Sequence, residues 1–463
     1  MADVAPASAE RPRPTVIVIG AGMAGLVAAR LLHDGGCKVI VVEARQRLGG
    51  RIWTDNTLGG PCDLGASWVH GADNNPITNW CRALGIELAV TSEETRFFFM
   101  QGKEQEEWEI EKRAWRSRLA MNRAITRLTA RAQREVQAGR IPRLSLATAV
   151  EPLLTGRRLR PLDRRVLAWQ LSVAEGVQGA PADQLDIREW FPKETAMVNA
   201  LPIGGYTQLI NDAAQSLEIR LDEAVRTVRY QEQVEVLTTT GCYSADAVVI
   251  TIPVGMLARG AIIFDPPLPS AKAGAISRIG YGGDASLNKI LLRFPYTFWP
   301  ETSNRFLSLL DDQSKRGLFS SWISLEALVG APVLMSFMSG YNGAHFDRHE
   351  MDATIVAQAL AVLQRMFGRT VPDPVAYTIT RWLSDPWAQG SYSYPAVGNT
   401  PTDRLLYAEP VAQKLYFAGE ATDLTHYGTV HAALKSGAAA AQRLYEDHRE
   451  PAGWVVQAPW LRT

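Results

Sequence analysis

Three glycines and one acid near the start of the sequence have the types and spacing of a dinucleotide-binding site. They are Gly20, Gly22, Gly25 and Glu43, and each group directly follows an apolar run. In such a motif the first glycine permits a tight turn, the second admits a pyrophosphate, and the third allows a helix to pack closely on a strand. A carboxylate at Glu43 would bind both hydroxyls of an adenosine ribose and repel the 2′-phosphate of NADP. The segment therefore predicts a strand, a helix and a second strand, with the helix N-terminus facing the anion.

Length and charge limit the remaining possibilities. The chain has 463 residues, which is more than one hydrophobic core usually holds and predicts at least two domains. Lysine plus arginine equals aspartate plus glutamate, 48 of each, and this balance argues against a nucleic-acid partner. One basic cluster is interpreted as the solvent face of helices; it comprises Arg157, Arg158, Arg160, Arg164 and Arg165.

Cysteine usage and the terminal segments predict a reducing, cytoplasmic location. The four cysteines have no metal-binding spacing and no C-x-x-C pair, so no metal is expected; they are Cys37, Cys62, Cys81 and Cys242. Residues 1–13 lack the apolar core of a signal peptide and are expected to form a disordered arm. No run of about 18 apolar residues predicts a membrane span, and the C-terminal residues carry no peroxisomal signal.

The order of strand and helix patterns predicts an α/β fold. Residues 14–95, 200–277 and 386–463 alternate buried strands with small-residue or amphipathic helices, which is typical of one discontinuous Rossmann-like domain. Residues 96–199 are rich in Arg, Glu, Leu and Ala at helical spacing, and residues 278–385 mix strands with one clear helix. These two stretches are predicted to form an inserted α+β substrate-binding domain.

Seven segments spread along the chain resemble the flavin amine oxidase family, and within it the polyamine oxidases. They are GGRIWT (49–54), DLGASWVHG with NPI (63–77), LPIGGYTQLINDAA (201–214), ITIPVGML (250–257), NKILLRF with FWP (288–300), RWLSDPWAQGSYSYPAVG (381–398) and FAGEATDLTHYGTVHAALKSG (417–437). The resemblance implies an FAD-binding domain and the oxidation of an amine, foremost a polyamine such as spermine or spermidine. A hydride would pass to flavin N5, the imine would be hydrolysed to an aldehyde plus an amine, and O2 would be reduced to hydrogen peroxide.

The resemblance also implies how FAD is held. A second phosphate-facing loop would be formed by Gly49, Gly50 and Arg51, because glycine exposes its backbone and arginine pairs with phosphate in a fork. FAD is expected to be noncovalent, since Ser391 stands where monoamine oxidases have a flavin-linked cysteine. The residues implied to contact FAD beyond the first motif are Arg45, Gly50, Arg51, Gly65, Ala66, Ser67, Trp68, Val225, Trp382, Gly419, Glu420, Thr429 and Val430.

Two residues are implied to be catalytic. By pattern alone, Lys289 in the strand SLNKILLRF would be an exposed alternate residue. The resemblance instead implies that Lys289 holds a water against flavin N5 and assists the O2 chemistry. His70 would by itself be a hydrogen-bonded core histidine, whereas the resemblance implies that it contacts the substrate amine.

Four residues are implied to bind substrate. Trp382 and Tyr392 would form aromatic walls, with plain core aromatics as the alternative. Thr429 stands where monoamine oxidases have a second tyrosine, which puts a two-tyrosine cage in doubt, and its backbone would face the flavin. Glu175 resembles an acid of the substrate tunnel, with a surface glutamate at a helix end as the alternative.

Other functions stay open on the same fold. A monoamine or an L-amino acid could be the substrate, although the sequence does not single out an arginine for a carboxylate. A demethylase-like flavoprotein that works with protein partners, or a catalytically silent one, is a more distant alternative. The expected partners are the amine and O2, and the chain is expected to be a monomer or a homodimer.

Overall fold

The computed structural model describes most of the chain. The described residues are 14–100, 103–139, 144–156, 159–188, 198–301, 305–310, 316, 318–368 and 370–448. The predicted arm at residues 1–13, the C-terminal residues 449–463, and Arg157 and Arg158 of the basic cluster lie outside them.

A five-stranded parallel sheet confirms the predicted α/β fold. Its strands, in spatial order, are Leu415–Phe417, Ala247–Ile250, Thr15–Ile19, Lys38–Val42 and Glu218–Arg220. The central strand is apolar from Val16 to Ile19 because both of its faces are buried there. Its residues at 16 and 18 face one core and those at 17 and 19 face another. Three separate stretches of the sequence supply this one sheet.

Two helices cover one face of this sheet. Met23–Asp34 follows the first strand and packs along Val430–His448, the small-residue helix near the end of the described chain. A Cβ at Gly437 would lie 2.2 Å from the Ala24 carbonyl oxygen, so the two backbones approach as closely as a glycine permits.

A smaller sheet covers the other face. Its strands, in order, are Cys242–Ala245, Val234–Thr238, Val225–Arg229 and Ile263–Asp265. The first three are antiparallel, and the last runs parallel to its neighbour.

The largest sheet lies in the other half of the molecule. Its main path is Ala376–Ile379, Leu287–Arg293, Val333–Ser339, Leu318–Ser324, Arg305–Leu309, Leu88–Met100 and Lys103–Gln105, and Asn199–Pro202 pairs with Leu88–Met100 off this path. The predicted boundary between residues 95 and 96 falls inside Leu88–Met100. The domain limits stay a prediction.

The remaining helices are distributed over both halves of the molecule. The predicted helical stretch contains Glu107–Gln137, Leu146–Thr155 and Pro161–Gln178. The other helices are Pro76–Ala83, Thr207–Ala213, Val254–Ala258, Ser270–Arg278, Glu326–Val329, Gly340–His349, Asp352–Phe367 and Pro401–Ala408, with 3-10 turns at Ala72–Asn74 and Glu420–Thr422. Two short strand pairs, Thr54–Asp55 with Cys62–Asp63 and Gly280–Tyr281 with Ser393–Tyr394, complete the fold. In the part of the chain that is described, no helix is both long and apolar enough to cross a membrane.

Candidate active site

A single large cavity joins the predicted dinucleotide site to the predicted catalytic residues. Its volume is about 1990 Å³, and its lining includes Gly22, Glu43, Lys289, Trp382 and Tyr392. Pockets for small ligands usually measure roughly 300–1,000 Å³. The cavity is therefore large enough for an elongated cofactor together with a substrate.

The three glycines of the first motif differ in the contacts that an added Cβ would make. Gly20 has a φ of +105°, and a Cβ at Gly25 would lie 1.9 Å from the Gly20 carbonyl oxygen. These two residues are glycine because the protein's own backbone leaves no alternative. At Gly22, by contrast, φ is −81° and the nearest atom to an added Cβ is Gly49 O at 3.8 Å. The space beside Gly22 belongs to the cavity, which fits close approach by a pyrophosphate.

Glu43 lies at the end of its strand, as predicted, and its carboxylate is oriented by backbone donors. Oε2 accepts a hydrogen bond from Ala21 N at 2.7 Å, and Oε1 accepts one from Arg45 N at 2.9 Å. The remaining lone pairs of a carboxylate can accept further bonds, which fits the predicted ribose contact. The Arg45 guanidinium is held by both oxygens of Asp385, at 2.8 and 2.7 Å.

Arg51 and Glu420 form an ion pair on the cavity wall. Arg51 Nη1 lies 2.9 Å from Glu420 Oε1. Glu420 also accepts hydrogen bonds from the backbone N and hydroxyl of Ser393 and from Gly428 N. Burial would raise the pKa of Glu420, but Arg51, the Ser393 hydroxyl and Arg404 hold it below its usual value. Glu420 is thus an ionised group that fixes three segments around the cavity, and contact with the cofactor stays a prediction.

Lys289 is buried, not exposed as its strand pattern alone suggested. Its side chain lines the cavity with 5% of the residue exposed. Nζ donates to Asp63 O at 2.9 Å, to Gly65 O at 2.5 Å and to Ser67 Oγ at 2.5 Å. Burial lowers the pKa of Lys289 below that of free lysine. An ammonium has three N–H donors, so a bound water would have to replace one of these partners.

Aromatic rings line the cavity near this lysine. The Trp68 ring lies 6.2 Å from that of Phe306 and 6.0 Å from that of Phe337, measured between centroids. Lys289 Nζ lies 5.8 Å from the centroid of Trp68, within the range of a cation–π contact. Trp382 is buried, and its indole N–H donates to Leu64 O at 3.3 Å.

Tyr392 lies between two glycines. A Cβ at Gly179 would lie 2.8 Å from its ring, and one at Gly428 would lie 3.2 Å from it. Its hydroxyl donates to Gly176 O at 2.7 Å, and burial raises its pKa above the usual value. The ring is therefore a neutral, rigidly held wall of the cavity.

His70 and Thr429 also lie on the cavity, each with protein partners. His70 is exposed, and its Nδ1 lies 3.0 Å from Asn199 Oδ1. Thr429 directly precedes the helix Val430–His448, and its hydroxyl accepts a hydrogen bond from Ala432 N at 3.2 Å. The neighbouring His431 is buried, which lowers its pKa to about 3 and keeps it neutral.

Five further residues of the cofactor prediction also lie on the cavity. Ala66 and Val225 contribute to its lining, as do Gly50, Gly419 and Val430. Ser391 lines it as well, with its hydroxyl donating to Leu287 O at 2.8 Å.

Glu175 is the site residue that the structure does not bring to the cavity. Only 2% of it is exposed, so it is not the surface glutamate of the alternative interpretation either. Its Oε2 lies 3.0 Å from Arg316 Nε, and its Oε1 accepts a hydrogen bond from Ala182 N at 2.9 Å. Burial makes the charge depend on this arginine partner, and the expected role as a substrate-binding acid stays a prediction.

Sequence reasoning missed the part of the cavity formed by the long helix Glu107–Gln137. Trp108, Glu111 and Trp115 line the cavity. The two tryptophans are 63% and 61% exposed. Their spacing of seven residues puts them on one helix face, and that spacing was the signal available in the sequence.

Metal chemistry has no site among the described residues. Within the described part of the chain, no three or more His, Cys, Asp or Glu side chains come together in a way that could hold a metal ion.

The dinucleotide motif and the buried lysine among aromatic rings share one cavity with room for an elongated cofactor, which is the arrangement expected of a flavoprotein. Residues 23–445 match the sequence profile of the family described as flavin containing amine oxidoreductase. The chain belongs to this family, which confirms the family resemblance and the expectation of FAD as cofactor.

Individual relatives agree with this assignment. Polyamine oxidase 4 of Oryza sativa subsp. japonica is 34% identical over 447 residues, covering 92% of this chain and 88% of that protein. Lysine-specific histone demethylase 2 of Homo sapiens is also 34% identical over 447 residues, covering 93% of this chain and 53% of that protein. The chain therefore spans about half the length of the demethylases it matches.

A solved structure shows the same fold. A double mutant of putrescine oxidase, made to redesign cofactor binding, aligns with a TM-score of 0.73 at 21% identity, covering 94% of this chain and 99% of that one. At this identity, the likeness concerns the fold alone.

Gly22→Ala tests the fit of the cavity to the cofactor. The added methyl meets no protein atom closer than 3.8 Å, so the melting temperature of the apoprotein should not change. It fills the space beside the glycine-rich turn, so the Kd for FAD, measured by titrating the apoprotein, should rise about tenfold or more. Gly25→Ala is the contrasting variant, and it should destabilise the apoprotein itself. An unchanged Kd in Gly22→Ala would contradict this position for the pyrophosphate.

Glu175→Gln separates a structural role from substrate binding. Loss of the carboxylate leaves Arg316 with a weaker partner and should lower the free energy of unfolding by about 1–3 kcal/mol. The KM for a polyamine should change little. Glu151→Gln is the matched control, because Glu151 also pairs with Arg316 but its side chain is 44% exposed. A large rise in KM with unchanged stability would instead support the substrate-binding role.

Proposed function

We propose that this chain oxidises an amine with FAD, and that a polyamine such as spermine or spermidine is the first substrate to test. Family membership supports amine oxidation. Similarity to the rice polyamine oxidase over most of both chains supports the polyamine. The observation that carries the proposal is that Lys289, the aromatic rings and the dinucleotide motif share one cavity.

The residues of the chain divide into two groups by task. The glycine-rich turn, Glu43 and Arg51 would hold the dinucleotide. The chemistry that FAD would supply there is the two-electron oxidation of the amine, with O2 as the final electron acceptor. Trp382 and Tyr392 would orient the amine and exclude water from the reacting carbon.

Lys289 supplies a positive charge at the centre of this arrangement. Its ammonium is held by two carbonyl oxygens and one hydroxyl, so its position does not change when charge develops nearby. A fixed cation in a site of low polarity stabilises negative charge more strongly than it would in water. We assign Lys289 this electrostatic role during the reduction of O2.

Substrate choice is less constrained than reaction type. The cationic ends of a polyamine would need carboxylates, and Glu175 is bound to Arg316 instead. Glu111 is a carboxylate on the cavity wall that could take this role. Monoamines, L-amino acids and, given the similarity to histone demethylase 2, methylated lysine side chains belong in the same assay.

Location and assembly stay predictions. The proposed partners of the site are the amine and O2. A cytoplasmic location, a monomer or homodimer, and the lack of a nucleic-acid partner are retained as expectations from the sequence.

Anaerobic reduction of the bound flavin tests the proposed function. Spermine or spermidine should bleach the visible absorbance of the holoprotein, and readmission of air should restore it with release of hydrogen peroxide. Acetylated polyamines, putrescine, benzylamine, an L-amino acid and a peptide with methylated lysine form the comparison panel. The amine with the highest kcat/KM identifies the substrate class. Absence of bleaching with every member would refute amine oxidation.

The pH profile tests the roles of the neutral amine and of Lys289. Because only the neutral amine gives up a hydride readily, kcat/KM should rise with pH. Lys289 loses its charge as the pH rises through its lowered pKa. The separate step in which O2 oxidises the reduced flavin should therefore become slower at high pH. Lys289→Met should bind FAD, slow this oxidative step and lose its high-pH decline. Lys289→Arg keeps the charge and serves as the control. A flat profile between about pH 6 and about pH 10 would contradict the neutral-amine requirement.

A further inference from the structure

A buried carboxylate lies behind the wall of the cavity, next to the strand that carries Lys289. Asp347, near the end of the helix Gly340–His349, is 4% exposed. Its Oδ2 accepts a hydrogen bond from Asn288 Nδ2 at 2.8 Å. Asn288 is fully buried and directly precedes Lys289 in the chain.

The same carboxylate also holds the segment that carries Trp382. Asp347 accepts hydrogen bonds from Leu383 N at 2.9 Å, from Ser384 N at 3.0 Å and from the Ser384 hydroxyl at 2.5 Å. Buried backbone donors need an acceptor, and a carboxylate is an acceptor that can serve several of them together.

Asn288 completes the connection through its amide oxygen. Asn288 Oδ1 accepts a hydrogen bond from Trp382 N at 2.8 Å and one from the Thr380 hydroxyl at 3.3 Å. The Thr380 hydroxyl in turn accepts a hydrogen bond from Lys289 N at 2.7 Å. Asn288 Oδ1 therefore holds the main chain at Trp382 directly, and it holds the main chain at Lys289 through the Thr380 hydroxyl.

A second contact closes the circuit on the cavity side. The Trp382 indole donates to Leu64 O, and Lys289 Nζ donates to the O of the next residue, Gly65. Lys289 and Trp382 are thus each held twice. Hydrogen bonds from their backbone N–H groups hold them behind the cavity wall, and side-chain hydrogen bonds to neighbouring carbonyl groups hold them on the cavity side. A shift of either one would strain both sets of hydrogen bonds.

We propose that Asp347 and Asn288 are positioning residues, which set the location of Lys289 relative to Trp382 through this hydrogen-bonded circuit. Neither side chain is among the residues that line the cavity, so their effect on the reaction passes through the two residues that do. The proposal rests on the amine oxidation proposed above, because the positioned groups face that site.

Exchanging the carboxylate of Asp347 and the amide of Asn288 tests this proposal. Four donors now point at the Asp347 carboxylate, two at each oxygen. Asp347→Asn puts an NH2 group in place of one oxygen, so at least one donor loses its acceptor. The rate constant for anaerobic flavin reduction at saturating amine should fall roughly tenfold to hundredfold, while KM changes less than about threefold. The Asn288→Asp/Asp347→Asn double variant restores one donor and one acceptor between the two positions and should recover a large part of the rate.

Two controls separate positioning from general damage. Asp352→Asn removes a carboxylate that lies 2.6 Å from Arg381 Nη2 in the same region but does not contact Asn288, and it should leave the rate unchanged. Ser384→Ala removes only one donor to Asp347 and provides a milder variant if Asp347→Asn does not fold. Hydrogen exchange of the amides at 382–384, measured on the holoprotein, should be faster in Asp347→Asn and near normal in the double variant.

The outcomes separate this inference from the proposed function. If no amine reduces the wild-type flavin, amine oxidation fails, while the amide exchange and the flavin absorbance spectrum still report on positioning. If wild-type reduction is normal and Asp347→Asn lowers only the melting temperature, with the rate and amide exchange unaltered, the positioning role is overturned. A double variant no faster than Asp347→Asn would also count against the pairing.

Discussion

The buried ammonium of Lys289 is the constraint on which the rest of the site depends. Placing a charged group away from water is unfavourable unless hydrogen bonds replace its hydration. Here the replacement comes from Asp63 O, Gly65 O and Ser67 Oγ, all in a segment that follows the dinucleotide motif. A strand of the largest sheet is thereby bound to the cofactor half of the molecule, and the cavity lies at that junction.

A second constraint is the close approach of backbone to backbone. A Cβ at Gly25 would meet Gly20 O at 1.9 Å, and one at Gly65 would meet Arg51 O at 1.8 Å. These contacts bring the glycine-rich turn and the segments after it within reach of a single elongated ligand. Gly22 differs because the space beside it opens into the cavity and is not filled by other atoms of the protein. The same residue type therefore serves packing at some positions and, at another, leaves open space where the cofactor is predicted to bind.

Carboxylates in and around the cavity show how burial assigns roles. Glu420, Asp347 and Glu175 are each almost fully buried, and each holds protein donors in place. Glu420 and Glu175 have arginine partners, Arg51 and Arg316, whereas Asp347 accepts from neutral groups. Since a buried charge must be satisfied within the protein, such residues are poorly suited to bind a mobile cationic substrate. The exposed Glu111 on the long helix is better placed for that purpose.

The sequence alone predicted the dinucleotide motif and the α/β class, because local spacing and apolar periodicity carry this information. It predicted the family and the cofactor through the resemblance of several segments to the flavin amine oxidases. It placed Glu43 at the end of its strand, and it predicted a helix from the small residues after Val430. Only the tertiary structure decided which side chains face the cavity. Glu175 and Lys289 both looked ambiguous along the chain, and contacts with residues more than a hundred positions away, Arg316 and the Asp63–Ser67 segment, separated them. The link from Asp347 to Asn288 and Trp382 has no local pattern, since three distant segments form it and each bond depends on the folded geometry.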